Sequence, residues 1–242
     1  VHGGTKYRHA ALLDLEVKQF IRDMIPLART HHPANLACIE EISEHFPEIP
    51  QAVVFDTSFH QTLPEYAWRY ALPKKISDQY AIRRYGFHGI SHQSVVKQAA
   101  SFLKTPVNKL NLITIHLGNG ASISAIKKGI CVDTTMGMTP LEGLVMGTRP
   151  GDLDPGILTL LAREGWNQET LETMLNQDSG MKGLCGTNDF REILQNKEER
   201  NEEAEMALEL YCYRVRKAIG SYGIVIGPVD ALVFTGGVGE NV

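Results

Sequence analysis

Apolar residues recur at Leu12, Leu13, Val17, Phe20, Ile21, Met24 and Ile25. This is the three-and-four spacing of one helix face, and it predicts a helix within residues 10–29. Pro33 suits the first turn of a second helix, whose apolar side holds Leu36, Ile39, Ile42 and Phe46 and which Pro47 and Pro50 stop. The run 52–55 reads as a short strand closing on Asp56, and residues 60–72 as an aromatic-rich helix. Ser91 suits the N-cap of a helix reaching Leu103. Two apolar runs, 111–117 and 121–127, flank a Gly-Asn-Gly turn and predict a β-hairpin, with a third strand at 130–134. Residues 139–156 are rich in glycine and proline and lack periodicity, so they read as a long loop. Asp154-Pro155 opens a helix through Leu161, and Asn167 caps another through Leu175. A long helix over 198–222 begins acidic (Glu198, Glu199, Glu202, Glu203) and ends basic (Arg214, Arg216, Lys217), in the order the helix dipole favours. A last strand at 231–234 runs into TGGVGEN.

Strands alternating with helices over 242 residues predict an α/β protein with enough chain for a substantial core. Hydrophobic residues make up 43% and charged residues 21%, ordinary globular usage that excludes a disordered or collagen-like chain. The net charge of −4 argues against general binding to nucleic acid or to an anionic membrane, both of which need a basic surface. Apolar runs such as 224–226 and 231–234 are too short to span a bilayer. Cys38, Cys131, Cys185 and Cys212 are scattered without a CxxC pair, so they read as free thiols of a cytoplasmic protein.

Several segments carry chemistry. In HLGNGAS (116–122), glycines let the backbone approach a ligand and present N–H groups to phosphate, although Asn-Gly alone is also a favoured hairpin turn. In FTGGVGEN (234–241), glycines follow a strand as in a nucleotide-binding turn, without the full GxGxxG spacing. The loop 139–155 contains a lone Arg149, whose planar fork suits phosphate or carboxylate. RRYGFHGISH (83–92) holds His88 and His92 at a spacing known from metal sites, but an intervening glycine and helix start disfavour zinc. In FDTSFH, Asp56 sits at a strand end, a usual place for a metal-binding or catalytic carboxylate. THHPAN adds His31 and His32, and NDFR places Asp189 and Arg191 at a helix start, where an aspartate is commonly a cap.

The order of these segments is more specific than any one of them. VHGG, HxPAN, FDTxFH, YGFHGxSH, HLGNGAS, the segment 133–155, NDxR and FTGGVGEN together resemble the acetate kinase family, from Val1 to Val242. The resemblance implies a two-domain ribonuclease-H-like architecture, shared with sugar kinases, large heat-shock chaperones and actin, in which each domain has a βββαβαβα core. It implies that residues 1–58 are the second half of the first domain and 59–242 most of the second, nucleotide-binding one. The implied reaction is reversible, Mg²⁺- (or Mn²⁺-) dependent transfer of a phosphoryl group from ATP to acetate, giving ADP and acetyl phosphate. The alternatives are a propionate kinase or a non-catalytic nucleotide-binding member of the superfamily. The implied partners are acetate, ATP and a second copy in a homodimer.

By that resemblance Asp56, His88, Arg149 and His31 are catalytic, with Asp56 also indirectly at the metal. His116, Leu117, Gly118, Asn119 and Gly120 form the phosphate-side loop. Asp189, Phe190 and Arg191, with Gly237, Val238, Gly239, Glu240 and Asn241, hold ribose and adenine. Val1, Thr30, Phe87 and Pro140 form the acyl pocket. The sequence departs from the family pattern at Thr30, where leucine is usual, at His32, where asparagine is usual, and at Pro150, where serine is usual. VHGG and GGVGEN read as interior segments, so the chain is expected to be part of a longer protein. The family's opening Asn/Ser/Lys-bearing strand, its second arginine and a metal-side glutamate would lie outside it. The expectation for these residues alone is an incomplete first domain and little or no kinase activity.

Overall fold

Two strand systems of unequal size organise the chain, which the computed structural model describes over residues 1–28 and 31–242. The expectation at Thr30 therefore falls outside the described residues. The smaller system is an antiparallel pair, β1 (Ala11–Leu12) with β2 (Ala52–Val53), in the register Ala11↔Val53. Between its strands run helices α1 (Leu15–Asp23) and α2 (His32–His45). The first helix is shorter than its apolar spacing suggests. Leu12 is committed to β1, and Asp14 caps the helix by accepting the Val17 N–H at 2.7 Å. Pro33 lies in the first turn of α2, as its fixed φ favours. Val17, Ile21, Leu36, Val53 and Phe55 bury one small core, with Tyr7 stacked on Phe55 at 4.6 Å.

The aromatic-rich stretch does not form one helix. Pro64 breaks it into a 3₁₀ turn (Ser58–Thr62) and α3 (Glu65–Trp68), because proline lacks an N–H and restrains the residue before it, and α4 (Lys74–Gln79) follows after Pro73. Helix α5 (Gly89–Phe102) starts three residues earlier than a Ser91 cap would place it. His88 is the N-cap, and the Ser91 hydroxyl instead meets His116 Nδ1 at 2.9 Å.

The larger sheet has the order β5-β4-β3-β6, from β3 (Leu112–Leu117), β4 (Ala121–Lys127), β5 (Ile130–Thr134) and a later β6. Strands β3, β4 and β5 form an antiparallel meander, and Leu117 faces Ala121 across the Gly-Asn-Gly turn. After β5 come α6 (Pro155–Arg163), α7 (Gln168–Thr173), α8 (Gly180–Cys185), α9 (Phe190–Glu198) and α10 (Glu202–Ile226). Strand β6 (Ala231–Thr235) then joins β3 in parallel, and α11 (Gly236–Asn241) follows. Three antiparallel strands and a parallel fourth reached through helices are the pattern expected of a ribonuclease-H-like core. The long helix runs later than its charges suggest. Asn201 caps it by accepting the Ala204 N–H, and it continues to Ile226, so Arg214, Arg216 and Lys217 fall short of its last turn. Only its acidic first turn complements the dipole.

Both faces of β3 and β4 are covered. Val96, Ala99 and Ala100 of α5 pack with Leu112 and Ile126 on one side. Ala204, Ala207, Leu208 and Tyr211 of α10 pack with Ile113, Ile115 and Ile123 on the other. Strands buried on both faces lack apolar–polar alternation and read as continuous apolar runs. Phe55 is fully buried at the centre of the small core. Phe55→Ala is expected to lower the unfolding free energy by about 3–5 kcal/mol in chemical denaturation. A loss below 1 kcal/mol would show that the small core closes without it.

Candidate active site

Strand β2 delivers Asp56 to the start of α5, where two hydrogen bonds bind the segments together. The His88 N–H donates to Asp56 Oδ2 at 2.6 Å, and the Gly89 N–H donates to the Asp56 carbonyl at 2.9 Å. His88 adopts a left-handed backbone (φ 56°, ψ 22°), which costs a non-glycine residue about 1–3 kcal/mol and tends to mark functional positions. The carboxylate at the helix start offsets that cost by satisfying an otherwise orphan N–H and by opposing the dipole. Gly89 permits the approach, because a Cβ there would lie 2.1 Å from the Asp56 carbonyl oxygen.

Asp56 and His88 face a cavity of about 220 Å³, whose lining also includes His31, Arg149, Phe87, Pro140 and Val1. The structure thus brings all four expected catalytic side chains to one cavity, together with the three described members of the expected acyl pocket. Arg149 arrives on the long loop, and its Nη1 donates to the Pro140 carbonyl at 2.7 Å. Among the described residues it has no ion-pair partner, and burial lowers its pKa. Its charge is therefore partly desolvated and available to an anion. Asp152 and Asp154 nearby have other tasks. Asp152 Oδ1 accepts the Gly143 N–H to close the loop, and Asp154 caps α6. Arg84, the second arginine of the RR pair, is occupied. Its Nη1 donates to the carbonyls of Thr134, Thr135 and Met136, and its Nη2 pairs with Glu142.

The cleft histidines are held neutral. Burial pushes His88 down to about 3, helped by the neighbouring His116 and Arg149. His88 stacks on His116 with ring centroids 4.3 Å apart. His116 is also lowered by burial, against the opposing pull of Asp56 and Glu240. His31, at the start of α2, is lowered by burial and by Arg149. Gly120 keeps the cleft open, since a Cβ there would lie 2.7 Å from Arg149 Nη2 and 3.1 Å from His88 Nε2. These two nitrogens therefore face the same space.

The three expected nucleotide segments gather around the carboxyl end of β3. Gly118–Gly120 follow it directly, and α11, which carries Gly237–Asn241, follows the parallel neighbour β6. Carboxyl ends of parallel strands are where α/β sheets usually bind ligands. Asn188 Nδ2 donates to Asn119 Oδ1 at 2.9 Å, which ties the NDFR segment to the turn. Asp189 caps α9 and pairs with Arg191, which holds its carboxyl down at about 2. Phe190 is buried against Tyr211 and faces the core. The turn expected at Gly237–Asn241 is a short helix, in which Glu240 Oε1 accepts from Thr235 Oγ1 at 3.0 Å.

Among the described residues no group of three or more His, Cys, Asp or Glu could hold a metal ion unaided. Asp56 alone suits Mg²⁺, which is commonly held by one or two carboxylates together with substrate phosphates. His88 and His92 do not converge on a metal. Both meet the Ser122 hydroxyl, at 2.9 and 2.7 Å. His92, Ser122, Thr114 and Ser91 therefore belong to the surroundings of the site; the sequence offers His92 only as a disfavoured metal ligand and Ser91 only as a helix cap, and does not single out Thr114 or Ser122. A signal for them existed: polar residues at alternate positions of two apolar strands, Thr114 and His116 on β3 and Ser122 and Ser124 on β4, which pair across the hairpin.

Proton linkage gives a test. His88 is lowered from 6.5 to about 3 and His60 to about 4, so the unfolded chain binds protons that the folded chain refuses. The stabilisation from keeping these rings neutral is complete above pH 6.5 and is lost as pH falls through the folded values. The urea midpoint is expected to fall progressively between pH 6.5 and about 4, and less so in His88→Gln. Equal midpoints across that window would contradict the burial of neutral rings.

The chain is 54% identical over 242 residues to the acetate kinase of Sulfurovum sp. (strain NBC37-1), spanning 100% of this chain and 61% of that protein. It is 52% identical to the acetate kinase of Pseudarthrobacter chlorophenolicus, covering 62% of that protein. Among solved structures, a propionate kinase from Francisella tularensis superposes with a TM-score of 0.97 at 44% identity, over 100% of this chain and 63% of the other. The Porphyromonas gingivalis acetate kinase does so with a TM-score of 0.93 at 47% identity, over 99% and 61%. The chain thus spans about 60% of the length of the relatives it matches. A model of the acetokinase family matches residues 1–242, and the chain belongs to that family.

Proposed function

We propose that the protein containing this chain is an acetate kinase, transferring a phosphoryl group from ATP to acetate. The observation that carries this reading is the convergence of Asp56, His88, Arg149 and His31 on one cavity walled by Val1, Phe87 and Pro140. Acetate is anionic at neutral pH and is itself the nucleophile, so the site needs no strong base. One carboxylate oxygen forms a bond to the γ-phosphorus as the bond to ADP breaks in line. The protein then has to position the reactants and neutralise charge. Arg149 Nη2 and His88 Nε2, which face the same space, donate to the equatorial oxygens of the transferring group. Phe87 and Pro140 hold the methyl group and exclude water. His31 adds a polar edge at the cavity mouth. Bound Mg²⁺ supplies charge neutralisation of the polyphosphate, and Asp56 is the carboxylate that would hold or orient it. The gathering of Gly118–Gly120, Asn188–Arg191 and α11 at the end of β3 supports a nucleotide site there, with ribose and adenine towards the last two.

The separate cores of the two strand systems support a domain boundary near residue 58, within the 3₁₀ turn Ser58–Thr62. Homodimerisation and a cytoplasmic location are part of the same proposal. No helix among the described residues is long and apolar enough to cross a membrane. Propionate kinase is the second reading, favoured by the Francisella tularensis neighbour and by a threonine where the family pattern has leucine. A non-catalytic nucleotide-binding module would have no use for an Arg149 without an ion-pair partner among the described residues, set beside a small apolar pocket.

The full-length protein is expected to form hydroxamate-trappable acyl phosphate with acetate and ATP. Absence of the product would refute the reading. Arg149→Ala should lower kcat by orders of magnitude, about 3 kcal/mol or more, with poor rescue by lysine, which lacks the fork. Near-normal turnover in the alanine variant would remove Arg149 from the reaction. Acetate should be preferred over propionate and propionate over longer acids, because one methylene is worth about 1–3 kcal/mol of discrimination. A larger kcat/KM for butyrate than for acetate would contradict the pocket assignment.

A further inference from the structure

Beneath His88, four side chains form one hydrogen-bonded file that leads away from the cleft. Thr114 Oγ1 meets His92 Nδ1 at 2.8 Å, His92 Nε2 meets Ser122 Oγ at 2.7 Å, and Ser122 Oγ meets His88 Nδ1 at 2.9 Å. Thr114, His92 and Ser122 are fully buried, so no bulk water can stand in for a missing partner. A neutral imidazole carries one N–H and one acceptor nitrogen, and a hydroxyl donates one proton. The file therefore has two self-consistent states.

In the outward state the Thr114 hydroxyl donates to His92 Nδ1 and the His92 Nε2–H donates to Ser122. The Ser122 hydroxyl then donates to His88 Nδ1, which leaves the His88 proton on Nε2. In the inward state every link is reversed, and His88 Nε2 becomes a bare lone pair. The Thr114 hydroxyl must then donate elsewhere, and the Ser124 carbonyl lies at 3.5 Å, beyond the usual hydrogen-bond range. The outward state pairs each hydroxyl proton at 2.8 or 2.9 Å, whereas the inward state keeps the three links but leaves the buried Thr114 hydroxyl proton only the 3.5 Å contact.

We propose that Thr114, His92 and Ser122 are positioning residues that fix His88 as the Nε2–H tautomer, so that Nε2 donates a hydrogen bond to the transferring phosphoryl group. The proposal rests on the phosphoryl-transfer reading above. Nε2 is the nitrogen that faces the space shared with Arg149 Nη2. A tautomer set by the far nitrogen's hydrogen bond is the usual way a protein orients an imidazole.

The test uses the full-length protein labelled with ¹⁵N-histidine, bound to ADP, acetate, Mg²⁺ and aluminium fluoride as a planar phosphoryl stand-in. The His88 signals are assigned by their loss in His88→Gln. The expected result is a neutral His88 with Nε2 protonated and Nδ1 bare. A bare Nε2, or protons on both nitrogens, overturns the proposal. Ser122→Ala should lower kcat about 10–100-fold, the range typical of lost supporting hydrogen bonds. The KM values for ATP and acetate should stay within about twofold, since the lost contact acts on the transferring group. Wild-type kcat in that variant overturns the proposal. If Ser122→Ala fails to fold, the wild-type spectrum still decides, and His92→Gln, whose amide N–H can still donate to Ser122, should keep more activity than His92→Leu. Failure of the wild-type protein to form acyl phosphate refutes the functional reading, whereas acyl phosphate formed with the wrong His88 tautomer refutes this proposal alone.

Discussion

The hydrogen bond from the His88 N–H to Asp56 Oδ2, with its companion from the Gly89 N–H to the Asp56 carbonyl, is the constraint on which the rest depends. It joins the end of the small sheet to the start of the helix that covers the large sheet. Without it the left-handed backbone at His88 would lose its compensation, and the first N–H groups of α5 would lose their acceptors. The cores on either side share no buried residue, so the clamp fixes their relation at the cleft itself. In the proposed reaction one carboxylate therefore serves structure and chemistry together. With Oδ2 committed to the backbone, Asp56 is oriented in advance of any ligand, and such preorganisation is what electrostatic catalysis requires.

Charge around the cleft is sparse because burial suppresses it. His31, His88 and His116 all titrate below their ordinary value, and desolvation is the main cause in each. Among the described residues, an anion entering the cleft meets one guanidinium, Arg149, with neutral donors arranged around it. The contrast with Arg84 shows how one residue type takes two roles. Three carbonyls and a carboxylate occupy the Arg84 fork, and through them it braces the loop on which Arg149 stands. Arg149 spends one nitrogen on Pro140 and keeps another towards the ligand space. Lysine could not divide its donors in that fixed geometry.

Legibility in the sequence followed the range of the interaction concerned. The hairpin around Gly118–Gly120, the Asn167 cap and the proline at the start of α2 depend on residues within a few positions of one another, and the pattern located them. Ser91 was misread because a serine before an apolar stretch is an ordinary cap, whereas the true cap of α5 involves a carboxylate 32 positions away. The long helix was displaced towards the amino terminus because its charges were assigned to the wrong turns. Its actual start is set by Asn201, and its end at Ile226 precedes a glycine with positive φ. The cleft residues were legible only as an ordered set of short segments, since periodicity does not report which loops meet in space. The buried hydroxyl–histidine file lay within reach, because alternating polar residues on two fully buried strands demand partners.

The departures from the family pattern can be weighed by the same hydrogen-bond accounting. His32 stands where asparagine is usual, and it is fully buried. Its Nδ1–H can only donate to the Ile21 carbonyl, at 2.9 Å, because a carbonyl has no proton to give. Its Nε2 must then accept, and the His2 N–H donates to it at 2.6 Å. An asparagine amide also offers one donor and one acceptor, and the imidazole fills more volume. Pro150 follows Arg149 and precedes Gly151, whose positive φ of 72° turns the chain back under the loop. Its ring fixes one dihedral next to the guanidinium-bearing residue and lowers the entropy of the unfolded loop without touching the fork. His32 therefore acts on the wall of the cavity and Pro150 on the backbone beside Arg149, and neither replaces one of the expected catalytic side chains.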